Sequence, residues 1–355
     1  MCLLLKIPFE LRALIIEHVL CTPVSPPVTP LQSDAIEYND LRYMAWAGGG
    51  SKAYYTQQGM ASSPSCLPLL LTNRQISTES RVILGRMKVD YILDISVKDD
   101  LTLFLTWLSV PCLTTHISTL YANVRLFGHI IEKRAVRRQL GDGGRLGFHW
   151  SFYAALERFL RYGPVGEKRR KEGDESKTQE FEDRGMLIDT LVLDFQSAEL
   201  ELAFPPEVVT YKHWSWRHWG RDLWRDQSEI SETLSSYTTR PQWLCEYLQG
   251  WIGGLLHMSY HTSAYGQPLY EHIGTIRMLV DGQPHYEFDL AAWLARLRFT
   301  DPTDTMGHLP TNDRESGFWK WKKETLLRRE AQGFPVMKQP PDDESGRREN
   351  EESMI

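Results

Sequence analysis

The sequence predicts a mixed α/β (or α+β) protein: an N-terminal helical module followed by irregular βα repeats that build a mostly parallel sheet. Three observations carry this. Two apolar segments with helical spacing open the chain, at 7–20 and 67–86. The pattern Ile-x-Thr-Leu/Ile then recurs in "HISTLYANVRLF" (116–127), "LIDTLVLDF" (187–195) and "HIGTIRMLVDG" (272–282). A segment read as helical precedes each copy: "DLTLFLTWL" (100–108), "SFYAALERFLRYG" (151–163) and "QWLCEYLQGWIGGLLHM" (242–258). A strand that returns after each helix points to parallel βα units.

The elements follow in order. In "IPFELRALIIEHVL", Pro8 suits the start of a helix, and Glu10 lies where the helix dipole favours an acid. Leu11, Leu14, Ile15 and His18 or Val19 form its apolar stripe. Residues 22–65, with "TPVSPPVTP" and "AGGGSK", read as a long insertion around Tyr43, Trp46, Tyr54 and Tyr55. In 67–86, Leu69, Asn73, Ile76, Ser80 and Ile83 share a helical stripe whose small polar members admit a second helix at close range. "DYILDISV" (90–97) adds a strand, and "MLVDGQPHYEFDL" (278–290) a hairpin turning at Asp281-Gly282. "FDLAAWLARLRF" is a further helix. "FWKWKKETLLRRE" (318–330) is a basic amphipathic helix, suited to an acidic partner or membrane surface, or simply to covering a sheet edge. The repeats begin at Ile117, Ile188 and Ile273, spacings too long and unequal for a short-period solenoid. A curved, leucine-rich-repeat-like sheet with helices on one face is expected. The domains are then 1–86, a helical module with insertion 22–65, and 87–334, an α/β body. Two charged segments lack the apolar content to order themselves: 166–184 within the body, and the acidic tail 335–355.

Composition narrows the function. Of 355 residues, 42% are hydrophobic and 24% charged, enough apolar content for a core. A formal charge of -6 disfavours general binding of nucleic acid. The five cysteines are scattered without a CxxC pair, which reads as reduced and intracellular. The N-terminus lacks a basic leader, and no apolar run reaches the roughly 18–20 residues that span a bilayer. The expectation is a cytoplasmic or nuclear protein with no membrane partner.

Reaction chemistry finds little support. "GDGGRLG" (141–147) follows a charged segment rather than an apolar strand, so it lacks the context of a nucleotide-binding loop. His257 and His261 have the i, i+4 spacing of a metal pair on a helix, but Met258 stands where a catalytic glutamate would be. No G-x-S-x-G elbow or catalytic cysteine signature occurs. No cofactor, no metal and no enzymatic activity are expected.

The most unusual stretch is "YKHWSWRHWGRDLWRDQ" (211–227). Trp214, Trp216, Trp219 and Trp224 alternate with Lys212, Arg217, Arg221 and Arg225. Trp and Arg are favoured anchors at protein interfaces. The same spacing describes an amphipathic helix docked into the core by its tryptophans. Both readings stand on the sequence.

Glu10-Leu11-Arg12 after Ile7-Pro8, and Glu79-Ser80-Arg81 after Asn73-Arg74-Gln75, form two E-x-R motifs in apolar frames. Residues 5–86 thereby resemble the fungal F-box-like proteins, and most closely the group with two E-x-R motifs. The resemblance implies a non-enzymatic adaptor. Its helix pair would bind the Skp-type linker of a cullin ubiquitin ligase through Ile7, Pro8, Glu10 and Leu11, and its body would hold a substrate protein. The alternative is a protein-binding scaffold with no ligase link. Here Ile-Pro replaces the usual Leu-Pro, and a long insertion separates the helices. Residues i and i+2 of a helix point to different faces. The acids and arginines of each motif therefore seek partners on the other helix. The expected pairs are Glu10 with Arg81 or Arg74, or Glu79 with Arg12, between helices packed antiparallel or crossed.

Overall fold

A computed structural model describes residues 3–30, 38–40, 53–56, 64–131, 148–164, 184–198, 202–219, 234–300, 303 and 305–337; for 3, 38–40, 56 and 216–219 it describes the backbone alone. Tyr43, Trp46, the glycine-rich loop 141–147 and Arg221 lie outside these residues, as do nearly all of 166–184 and most of the tail. The chain divides into two compact units, Met1–Ile252 with Ile276–Glu287, and Gly253–Thr275 with Phe288–Ile355.

The first unit opens with helix α1 (Phe9–Cys21), which starts directly after Pro8. Thr22 ends it: both its N–H and its hydroxyl bond the His18 carbonyl. The expected single helix over 67–86 is two, α2 (Cys66–Thr72) and α3 (Arg74–Arg86). Asn73 divides them. Its backbone is extended (φ −163°, ψ 168°), and its side chain accepts the Ile76 N–H at 3.0 Å, capping α3.

Eight strands of the described residues form one sheet. They are β1 (Tyr38–Asp40), β2 (Ala53–Thr56), β3 (Asp90–Lys98), β4 (Thr102–Ser109), β5 (His116–Phe127), β6 (Leu187–Ser197), β7 (Ile273–Val280) and β8 (Gln283–Asp289), ordered β1-β2-β4-β3-β5-β6-β7-β8. β3 is parallel to β5, and β5 to β6. The recurring pattern lies in register there: Ile117 is beside Ile188, Thr119 beside Thr190, and Leu120 beside Leu191. The third copy opens β7, the next strand. The sheet is mixed: β2 is also parallel to β4. β1 with β2, and β3 with β4, run antiparallel, and β7 turns into β8 at Asp281-Gly282. Both turn residues have positive φ (48° and 75°), the signature of a type I′ hairpin. The architecture is a mixed α/β fold with a large mixed sheet.

Two expectations fail here for physical reasons. Segment 100–108 is strand β4, not a helix. Its β-branched and aromatic residues favour a strand, and Asp99 and Asp100, both at positive φ, turn it back beside β3. Gly128 fits this turn closely, since a Cβ there would lie 2.2 Å from the Asp99 Oδ1. The described residues of segment 22–65 include strands that join the sheet of the body. β2 pairs with β4, Tyr55 is buried, and the Val24 N–H bonds the Leu108 carbonyl. A boundary at residue 86 therefore cuts through one compact unit.

Helix α4 (Phe148–Tyr162) covers one face of the sheet. Phe152, Ala155, Leu156 and Phe159 meet Leu93, Ala122, Leu191 and Leu193 around an apolar cavity of about 40 Å³. Strand alternation sends Asp94, Asn123 and Asp194 to the opposite face. Helices α5 (Tyr211–Trp219) and α6 (Pro241–Leu256) follow.

In the second unit, α7 (Ser263–His272), α8 (Leu290–Arg296) and α9 (Arg314–Ala331) pack around a buried arginine. Arg329 donates to the Tyr270 and Ile273 carbonyls at 2.6 and 2.8 Å, at the C-terminal end of α7, and its guanidinium lies over the Phe334 ring. On α9, Phe318 and Thr325 are buried and Trp319 is exposed.

Candidate functional site

The two E-x-R motifs meet. Arg12 donates from Nε to Glu79 Oε2 at 2.9 Å and from Nη2 to Oε1 at 2.6 Å, a bidentate pair between α1 and α3. Gln75 supports the acid at 3.1 Å, and Arg12 also reaches back to the Ile7 carbonyl. The arginine's hydrogen bond lowers the Glu79 pKa below the ordinary carboxylate value, and the acid raises that of Arg12. Beside this pair Ala13, Ile16 and Leu20 pack with Cys66, Ile76 and Ile83. Ser80, fully buried, sits on the same face of α3. At the far end Arg86 bonds Glu17 at 2.8 Å. The two ion pairs step in the same direction along both helices, so α1 and α3 run in the same sense and not antiparallel. Glu10, Arg74 and Arg81 are exposed.

This arrangement reverses the expected orientation of α1. The stripe Leu11, Leu14, Ile15, Val19 faces outward, at 50%, 61%, 41% and 47% exposure. The helix is apolar on two sides, so spacing alone cannot say which one is core. Burial of Arg12 against Glu79 turns the Ala13–Ile16–Leu20 side inward. Pro8 and Glu10 are exposed and Ile7 is half-buried, so the residues that the F-box resemblance assigns to a partner border the outward stripe.

The tryptophan segment divides differently. Trp214 is fully buried, contrary to a partner-binding role. Its indole N–H is placed between Asp100 Oδ2 at 3.3 Å and Thr239 Oγ1 at 3.2 Å, and its ring packs on Tyr211, Trp243 and Tyr247. It anchors the β3–β4 turn in the core. Trp216, Arg217 and Trp219 continue α5, but their side chains lie outside the description.

A polar array occupies the sheet face opposite α4. Asp94, Asn123 and Asp194 stand in register across β3, β5 and β6, with Ser96, Arg125 and Gln196 in the next row. Arg125 grips Asp94 at 2.5 and 2.9 Å and donates to the Pro27 carbonyl at 2.7 Å. Asp194 accepts from Tyr121, Gln196 and the Gly282 N–H. Burial and this carboxylate push the Tyr121 phenol well above its ordinary pKa. Every carboxylate here is satisfied from within, so the array serves as a polar core. The array was not legible in the sequence; the alternation of Leu93-Asp94-Ile95-Ser96 was its one signal.

Other chemistry is sparse. Ser263 Oγ and His308 Nδ1 are 2.9 Å apart, the spacing of a nucleophile and base. Ser263 is fully buried, however, so its hydroxyl is closed off from solvent. His257 and His261 do not share a helix face, because α6 ends at Leu256 and Met258 has φ +57°. Among the described residues, no group of three or more His, Cys, Asp or Glu is placed to hold a metal ion. No helix among them is long and apolar enough to cross a membrane. Comparison with known proteins finds no matching family, no similar curated sequence and no similar solved structure.

Proposed function

We propose that the protein is a non-enzymatic interaction adaptor that docks a protein partner on the outward face of α1. One observation carries this reading. Leu11, Leu14, Ile15 and Val19 form a contiguous exposed apolar stripe on a helix whose other side is already packed. Contiguous apolar surface of this kind marks interaction sites in soluble proteins. An amphipathic helix laid into an apolar groove is a common recognition mode. Ile7, Pro8, Glu10 and Leu11 extend the surface at its N-terminal end.

The partner that the F-box-like motifs favour is a Skp-type linker, which would bring the chain to a cullin ubiquitin ligase as a substrate receptor. The run β3-β5-β6-β7 is the stretch of sheet that a curved, leucine-rich-repeat-like substrate platform would use. The alternative is a scaffold that uses the same face without a ligase. The test is affinity purification of the tagged full chain from fungal cells, beside the double variant Leu14→Glu/Ile15→Glu. The adaptor reading expects a Skp-type linker and cullin with the wild type, lost with the variant while its melting temperature holds. A different protein lost in the same way supports the scaffold. Recovery of the same partners by both chains refutes docking on α1.

A further inference from the structure

We infer that Ser25, in the strap that follows α1, is a phosphorylation site for a proline-directed protein kinase. The sequence holds four Ser/Thr-Pro dipeptides, and three fall within 22–30: Thr22-Pro23, Ser25-Pro26 and Thr29-Pro30. The serine of the fourth, Ser63-Pro64, lies outside the described residues. A residue before proline is driven out of the helical region towards extended backbone. Thr22 shows this at φ −66°, ψ 117°, and 22–27 have no regular structure. Ser25 lies in this same irregular stretch, followed by a proline with no N–H to satisfy, as a proline-directed kinase requires of its acceptor.

The three hydroxyls are not equivalent. The Thr22 hydroxyl is tied to the His18 carbonyl at 2.6 Å, where it ends α1. Thr29 is half-buried beside buried Pro30 and is not free. Ser25 is exposed between exposed Val24 and Pro26, and its hydroxyl bonds none of the described residues. Two anchors bracket it: the Val24 N–H on the Leu108 carbonyl at 2.8 Å, and the Pro27 carbonyl under Arg125 at 2.7 Å. The chain is thus held at both ends with the serine side chain turned to solvent. In the transfer, Ser25 Oγ forms a bond to the γ-phosphorus of Mg-ATP. The bond from that phosphorus to the β-phosphate oxygen breaks, ADP leaves, and the hydroxyl proton passes to the kinase's catalytic carboxylate.

The experiment incubates the full chain with a proline-directed kinase and Mg-ATP and follows site occupancy by mass spectrometry. A synthetic peptide of residues 16–32 runs in parallel. In the folded chain, Ser25 is expected to label at least about fivefold faster than Thr22, whose hydroxyl must first give up a hydrogen bond. In the peptide, where that bond is absent, the preference should shrink. Ser25→Ala should cut labelling of the strap at least about fivefold, to the slow rate of Thr22, at an unchanged melting temperature, and Thr22→Ala should leave Ser25 labelling intact. Failure of Ser25 to label in the folded chain, or labelling of Thr22 or Thr29 at a similar rate, overturns the inference.

Discussion

Replacing Asp94 by asparagine tests whether the polar array beneath the strap holds the sheet together. Asp94 is fully buried, and the Arg125 side chain is only 14% exposed. The carboxylate accepts two bonds from Arg125 and one from the Ser96 hydroxyl. Removing one member of a buried ion pair costs about 3–5 kcal/mol, since the other charge stays buried without compensation. Asparagine keeps the shape and one acceptor oxygen, and Arg125 retains the Pro27 carbonyl and its place over the Phe127 ring. The cost should therefore lie at the low end, about 3 kcal/mol. For a unit of this size that corresponds to a fall in Tm of roughly 6–12 °C. Urea unfolding followed by tryptophan fluorescence, with a thermal scan, measures both. The double variant Asp94→Leu/Arg125→Met strands no charge and should cost less than Asp94→Asn alone. A loss below about 1 kcal/mol for Asp94→Asn, or a double variant that costs more than Asp94→Asn alone, would refute this account of the pair.

Three further outcomes follow from the same geometry. Glu79 has a lowered folded pKa, so its contribution to stability is complete above its unfolded value and is lost as pH falls through the folded one; Glu79→Gln should flatten acid unfolding, and parallel curves for the two chains would contradict this. His149 is buried, with its pKa lowered by desolvation to about 3, so below roughly pH 6.5 the unfolded chain takes up a proton that the folded chain refuses. Stability should then fall by up to about 1.4 kcal/mol per pH unit towards pH 3 from this residue, and His149→Phe should lower the measured slope between pH 6 and 4. Ala155→Val extends into the cavity of about 40 Å³ under α4. At about 24 cal/mol per Å³, filling it should gain roughly 1 kcal/mol, and a fall in Tm would show that the helix and sheet cannot accept the added methyl groups.

Local signals were the legible ones. The Ile-x-Thr copies are short and β-branched, and they lie side by side in β5 and β6 because the core-facing Ile117 and Ile188 must share one face. Asp281-Gly282 announced its hairpin because few dipeptides tolerate two positive φ values. What failed depends on residues distant in sequence. "DLTLFLTWL" is apolar enough for either element, and only its pairing with β3 and β2 makes it a strand. Asn73 looked like one more position on a helical stripe, but its side chain competes for the Ile76 N–H and breaks the helix there. Trp214 could not be assigned to core or surface until Asp100 and Thr239 were placed around its indole.

The orientation of α1 joins these points to the proposed function. Residues two apart on a helix stand roughly 200° apart around its axis, so each E-x-R motif sends one charge inward and the other outward. The inward members are Arg12 and Glu79, one from each motif and of opposite sign; Glu10 and Arg81 stay outside. Hydrophobicity alone would turn α1 the other way. That rotation buries two leucines, an isoleucine and a valine in place of an alanine, an isoleucine and a leucine, and sends Arg12 to solvent. The observed rotation leaves apolar area in water, each Å² of it worth about 25 cal/mol if covered. A clamp that holds the helix in the less buried orientation gains nothing for the isolated chain from that area. Under the proposed adaptor function it would present Leu11, Leu14, Ile15 and Val19 to a partner, whose binding would recover the burial that folding left unused.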